Sequence, residues 1–162
     1  MILYHGSNVI VDKPRIVVQN RALDFGSGFY TTTNKEQAIA FARRIQKYRQ
    51  TGEACLNAYE WNEQQSDLEC KILRFDGINS QWLRFIADCR EKKAHEEDYD
   101  YDMIIGPVAD DDVKVVIGLY NSQLYDIKEA IEKLKIKHTF NQFVFKTQRS
   151  LKFLQFTGGT DV

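Results

Sequence analysis

Asp24-Phe25-Gly26-Ser27-Gly28-Phe29-Tyr30-Thr31-Thr32-Thr33-Asn34, followed by a helical run from Lys35 to about Tyr48, is the stretch from which the rest of the chain is read. Two glycines separated by one serine allow backbone angles and close approaches that a Cβ forbids. Phe29-Tyr30-Thr31-Thr32 reads as a short strand, aromatic and β-branched. Asn34 is placed to cap the helix that follows. On that helix Ala38, Phe41, Ala42 and Ile45 recur at helical spacing and form one apolar stripe. Phe41 falls near the strand end that carries Tyr30. A glycine turn, a strand and a capped helix also make ordinary scaffolding, so the reading turns on Tyr4-His5-Gly6-Ser7 near the start and Asn141-Gln142-Phe143 near the end.

The chain has 162 residues, a length that fits one domain over residues 1–162. Its apolar share of 43% and charged share of 28% are those of a globular protein able to bury a core without staples. A formal net charge of −1 supplies no overall drive toward nucleic acid or an anionic membrane. Local basic groups, Arg43, Arg44, Lys47 and Arg49, then Lys133, Lys135 and Lys137, leave a local basic face open, against the plainer reading as solvated helix faces. Cys55, Cys70 and Cys89 are an odd set without metal-ligand spacing, and read as reduced thiols rather than a disulfide framework. No apolar run approaches the roughly 20 residues that span a bilayer. A basic segment followed by an apolar leader run is not seen either, so the expectation is a cytoplasmic protein without membrane attachment.

Taken in order, Met1 to His5 is an apolar strand ending in the turn signal Gly6-Ser7-Asn8, which puts His5 at a strand end. There it is a structural histidine or a ligand contact, with Gly6 letting a substrate amide reach the main chain. Arg15-Ile16-Val17-Val18 reads as a second strand. Leu56 to Trp61 alternates as a strand, Asn62 to Asp67 is a polar connection, and Leu68 to Phe75 is the next strand. Asn79 or Ser80 starts a helix to about Lys93 with Trp82, Leu83, Phe85 and Ile86 on its buried face. His95 to Asp100 is an acidic linker, and Tyr101 to Ile105 a strand ended by Gly106-Pro107. Asp110-Asp111-Asp112 lacks the alternating ligands of a calcium loop and reads as a helix start, where negative charge suits the dipole. Val113 to Tyr120 and Tyr125 to Lys135 are helices. Thr139 to Phe156 alternates as two strands or one bent strand. Gln142 is a polar residue entering that apolar strand, so a neighbouring main-chain group or a bound ligand should satisfy it. The pattern is α+β, with short, mostly antiparallel strands and interspersed helices.

His5 at one strand end, Tyr30 after Gly-x-Gly and Gln142 at the start of a late strand resemble, in this order, the ADP-ribosyltransferase superfamily. The likeness is to its diphtheria-toxin and poly(ADP-ribose)-polymerase branch. Tyr4-His5-Gly6-Ser7 is similar to that family's His-Gly-Ser element, and Gly26-Ser27-Gly28-Phe29-Tyr30 to its Gly-x-Gly-x-Tyr element. Asn141-Gln142-Phe143-Val144-Phe145 is similar to its Asn-Glu-Tyr strand, with Gln142 in the Glu position. Asp24 to Thr32, Tyr101 to Asp110 and Phe145-Lys146-Thr147 before Leu151-Lys152-Phe153-Leu154 also resemble a bacterial group often encoded as the toxin half of toxin–antitoxin pairs.

The resemblance implies two packed, mostly antiparallel sheets with a cleft between them, and peripheral helices. It implies NAD⁺ as co-substrate, no metal, and a cognate antitoxin as partner. His5, Tyr30 and Gln142 would be the catalytic residues, and His5, Gly6, Ser7, Gly28, Tyr30 and Phe41 the NAD⁺-binding ones. In those roles His5 would hold the adenosine ribose and Gly6 the carboxamide. Tyr30 and Phe41 would hold the nicotinamide between aromatic faces. Gln142 would orient the nicotinamide ribose through its 2′-hydroxyl. A glutamine positions but cannot act as general base. Three activities remain open on that ground: mono-ADP-ribosyl transfer, slow NAD⁺ hydrolysis, and NAD⁺ binding without chemistry. Polymer elongation fits least. The acceptor, whether protein, nucleic acid or small molecule, is not written in the sequence.

Overall fold

Segments with a two-residue apolar period become strands here because each can bury one row of side chains on either face of the sheet they build. The computed structural model describes residues 1–16, 23–91, 100–109, 111–134 and 140–162. The expectations for Val17, Val18, Lys93, residues 95–99, Asp110, Lys135, Lys137 and Thr139 lie outside them. Asp100, the last residue of the expected acidic linker, is described and lies in no element.

Among the described residues the order is β1 (Ile2–Ser7), β2 (Phe29–Thr32), α1 (Lys35–Arg49), β3 (Cys55–Trp61), α2 (Glu63–Glu69), β4 (Ile72–Arg74) and α3 (Ser80–Glu91). There follow β5 (Met103–Pro107), α4 (Asp111–Asn121), α5 (Ile127–Leu134), β6 (Asn141–Phe145), α6 (Gln148–Leu151) and β7 (Leu154–Asp161). The fold is α+β. Its strands are joined in one hydrogen-bonded order, β4-β5-β6-β2-β1-β3-β7, where the sequence reading expected two packed sheets. Among these strands only β4 and β5 run parallel; every other neighbouring pair is antiparallel.

Register sorts the side chains onto two faces. Tyr4 pairs with Thr32 and Thr32 with Gln142, so Tyr4, Gly6, Tyr30, Thr32, Gln142 and Val144 share one face. That face carries the core formed with Trp82, Leu83 and Ile86 of α3, Val113 and Ile117 of α4, and Ala130 and Leu134 of α5. The opposite face buries Leu3, Phe29, Tyr59, Trp61, Phe143 and Phe145 with Leu151 of α6. α2 closes over this second face, its buried Ser66 hydroxyl donating to the Met103 sulfur at 3.4 Å. Met103 to Pro107 is buried throughout, as a strand covered on both sides must be.

Several element boundaries differ from the expectations. Asn62 to Asp67 is not a simple connection, because Asn62 caps α2 by accepting from the Gln65 amide at 3.1 Å. The expected strand from Leu68 to Phe75 accordingly shrinks to Ile72–Arg74, with Leu68 exposed on α2. The alternation after Phe145 stops at Thr147, whose hydroxyl caps α6, so the last segment is two strands separated by a helical turn. β7 then pairs with β3 at the far edge of the sheet. Arg15 and Ile16 form no strand.

Candidate functional site

β1 and β2 are neighbours, yet a single pair, Tyr4 and Thr32, is in register between them. On their outer sides β1 is in register with β3 from Ile2 to Ser7, and β2 with β6 along its whole length. The sheet therefore opens into a fork on the Ser7 side of Tyr4. His5 sits at its root. Its Nδ1 lies 2.7 Å from the Tyr30 carbonyl oxygen, and its ring is 4.4 Å from that of Phe29. A carbonyl only accepts, so Nδ1 carries the proton in that bond. Burial pulls the imidazole pKa below its ordinary 6.5, partly opposed by the same hydrogen bond. His5 is then a neutral ring whose Nε2 is left as an acceptor.

Gly6 lies where α1 crosses β1. A Cβ there would stand 2.0 Å from the Ala38 carbonyl oxygen and 2.8 Å from the Ala42 nitrogen. The missing side chain is thus what lets helix and strand touch. Ser7 is buried beside it, in register with Cys55. Along α1, Gln37 accepts from the Thr32 hydroxyl at 2.8 Å, which turns that stripe toward β2. Phe41, four residues on, shares the stripe and lies on the β2 side of the helix. It is 38% exposed rather than part of the core, with the Arg44 guanidinium carbon 5.1 Å from its ring centre.

Tyr30 is pinned by its own turn. Its hydroxyl donates to the Gly26 carbonyl at 2.6 Å and accepts from the Phe25 amide at 3.2 Å. Gly26 takes a φ of 72°, and a Cβ on Gly28 would stand 2.6 Å from Val144 Cγ1. Both glycines of the motif are therefore required by backbone geometry and packing. Phe25 is fully buried, and the Lys146 ammonium donates to its carbonyl at 2.8 Å.

Gln142 is 6% exposed. Its Nε2 donates to Asp24 Oδ2 at 3.3 Å and, at 3.5 Å, toward the Pro107 carbonyl. Asp24 also accepts from Arg90 Nε at 3.0 Å and from the Ala109 amide at 3.1 Å. Sequence reasoning passed over Asp24 and Arg90 as site residues. Asp24 stood in the quoted motif, but its contacts come from residues 66, 85 and 118 positions away.

Tyr30, Phe41, Gly6 and Gln142 thus belong to one face of the sheet, α1 included. His5 does not: alternation turns its ring to the opposite face with Phe29, and it meets Tyr30 only through the main chain. A cavity of about 560 Å³ lies elsewhere, lined by Arg84, Asp88, Tyr120 and Tyr125 among others, and none of the expected site residues borders it. Among the described residues no cluster of His, Cys, Asp or Glu is arranged to hold a metal ion. No helix among them is long and apolar enough to cross a membrane, and the three cysteines are free thiols.

No curated protein and no solved structure matches the chain. The family described as Protein of unknown function (DUF3990) matches residues 1–156, nearly the whole length. The chain belongs to the DUF3990 family.

Proposed function

We propose that this protein is an NAD⁺-dependent mono-ADP-ribosyltransferase acting in the cytoplasm as the toxin half of a bacterial toxin–antitoxin pair. The observation that carries this reading is the fork between β1 and β2, with a neutral His5 bonded to the Tyr30 carbonyl at its root. In this reading the fork divides the sheet into the β7-β3-β1 and β2-β6-β5-β4 halves, which act as two packed sheets around a cleft. A ligand threaded through the opening, rather than laid on one face, meets His5 from one side and Tyr30, Phe41 and Gln142 from the other.

The chemistry follows from the groups available. His5 Nε2 accepts from a ribose hydroxyl. Tyr30 and Phe41 offer ring faces to the cationic nicotinamide, Phe41 by giving up its contact with Arg44. Cleavage breaks the bond between ribose C1′ and the nicotinamide nitrogen. The electron pair leaves with nicotinamide, and positive charge develops on the ribose. A nucleophile of the acceptor then bonds to C1′ and releases its own proton. Gln142 contributes an amide dipole to the ribose and no base, which favours an acceptor already nucleophilic at neutral pH.

Purified protein incubated with NAD⁺, with and without cell extract, tests the reading by free nicotinamide and by the mass of ADP-ribose adducts. Nicotinamide release with an adduct is expected. Release without an adduct assigns a hydrolase, and saturable NAD⁺ binding without release assigns a binding module. Absence of NAD⁺ binding overturns the reading.

A further inference from the structure

Gln142 stands beside a buried carboxylate, and the pair constrains both residues. Nε2 faces two groups that can only accept, Asp24 Oδ2 at 3.3 Å and the Pro107 carbonyl at 3.5 Å. Turning the amide over would set Oε1 against a carboxylate and a carbonyl, exchanging two attractions for two repulsions. The orientation is thereby forced, and Oε1 accepts no hydrogen bond from any described residue. Asp24 in turn is rigid. Its side chain is 12% exposed, paired with Arg90 on Oδ1, and held by the Ala109 amide at 3.1 Å on Oδ2.

We infer that Asp24 is a positioning residue: it locks the Gln142 amide so that Oε1 is presented as a hydrogen-bond acceptor for a ligand hydroxyl. The same contact accounts for a neutral residue at 142. A glutamate there would bring a second carboxylate to about the present 3.3 Å from Asp24 Oδ2, with Arg90 the one cation contacting Asp24 among the described residues. The negative charge of this corner is therefore held off the strand, on Asp24. That the ligand hydroxyl is a nucleotide ribose rests on the function proposed above; the coupling between Asp24 and Gln142 does not.

The test is a double-mutant cycle of wild type, Asp24→Asn, Gln142→Glu and the double variant, read by thermal midpoint and by steady-state nicotinamide release. Asp24→Asn is close to isosteric. In the double variant the amide introduced at position 24 can donate to the carboxylate introduced at position 142, exchanging donor and acceptor across the pair while giving up the bond from the Ala109 amide, which shares Oδ2 with Gln142. Each single variant is expected to lower the midpoint, and the double to melt above Gln142→Glu. For turnover, Gln142→Glu should lose at least about tenfold in kcat with KM within about threefold, Asp24→Asn should lose less because its remaining carbonyl oxygen can still accept from Gln142 Nε2, and the double should recover part of the Gln142→Glu loss. Additive losses in midpoint overturn the inference, even if the wild type releases nicotinamide. If the wild type neither binds nor cleaves NAD⁺, the proposed function fails, while the midpoint cycle still decides whether Asp24 and Gln142 are coupled.

Discussion

Among single residues, His5 is the group whose state is most tightly defined. Burial holds it neutral, and the Tyr30 carbonyl fixes its tautomer. A histidine with a lowered native pKa favours the folded state above its ordinary 6.5, and that contribution is lost as pH falls from 6.5 through the native value. The stability gap between wild type and His5→Gln should therefore narrow between about pH 7 and 5. Thermal midpoints across that range check it, and a gap independent of pH contradicts it. The sequence reading put His5 at a strand end, but β1 runs on through Gly6 to Ser7, so His5 lies within the strand, while Tyr30 follows the glycine turn as the second residue of β2. The face His5 occupies was not legible, since it depends on the pairing of Tyr4 with Thr32 across a gap of 28 positions.

Among the elements, the helices that could be read were those with an apolar stripe or a cap in plain view. α1 begins after Asn34 as its cap predicts, and its end at Arg49 lies within a residue of the expected one. α3 keeps Trp82, Leu83, Phe85 and Ile86 buried, as its spacing requires. α2 escaped because Ser66 is its single buried residue, so there was no period to find. α1 packs directly on β1, the strand on one side of the fork, and that contact is made through Gly6. Gly6→Ala places a methyl 2.0 Å from the Ala38 carbonyl, a clash with backbone that no rotamer relieves. Overpacking of this kind costs about 3 kcal/mol. Urea unfolding should show the midpoint reduced with an unchanged slope. A variant as stable as wild type would mean that α1 is free to lift from β1.

Over the molecule as a whole, the chain brings its first strand, its glycine turn and its late strand together at the middle of one sheet, in the order β6-β2-β1. The α+β class follows from alternating strands and capped helices, and the sequence reading reached it. Strand order could not be read the same way: β7 follows β6 closely in sequence yet lies at an edge of the sheet, beyond β2, β1 and β3, a choice made by long-range burial rather than by any local pattern. The corner formed by Asp24, Arg90, Ala109 and Gln142 was hidden for the same reason, since it assembles only once β2, β5 and β6 are paired. Occupation of the fork between β1 and β2 by NAD⁺ is the proposal on which the functional reading stands. Titrating isotope-labelled protein with NAD⁺, and following backbone amide shifts residue by residue, addresses it without intermediary. Saturable shifts are expected at Gly6, Ser7, Tyr30 and Phe41, with Tyr120 and Tyr125 beside the separate cavity unmoved. Shifts confined to that cavity, or none at saturating NAD⁺, would contradict it.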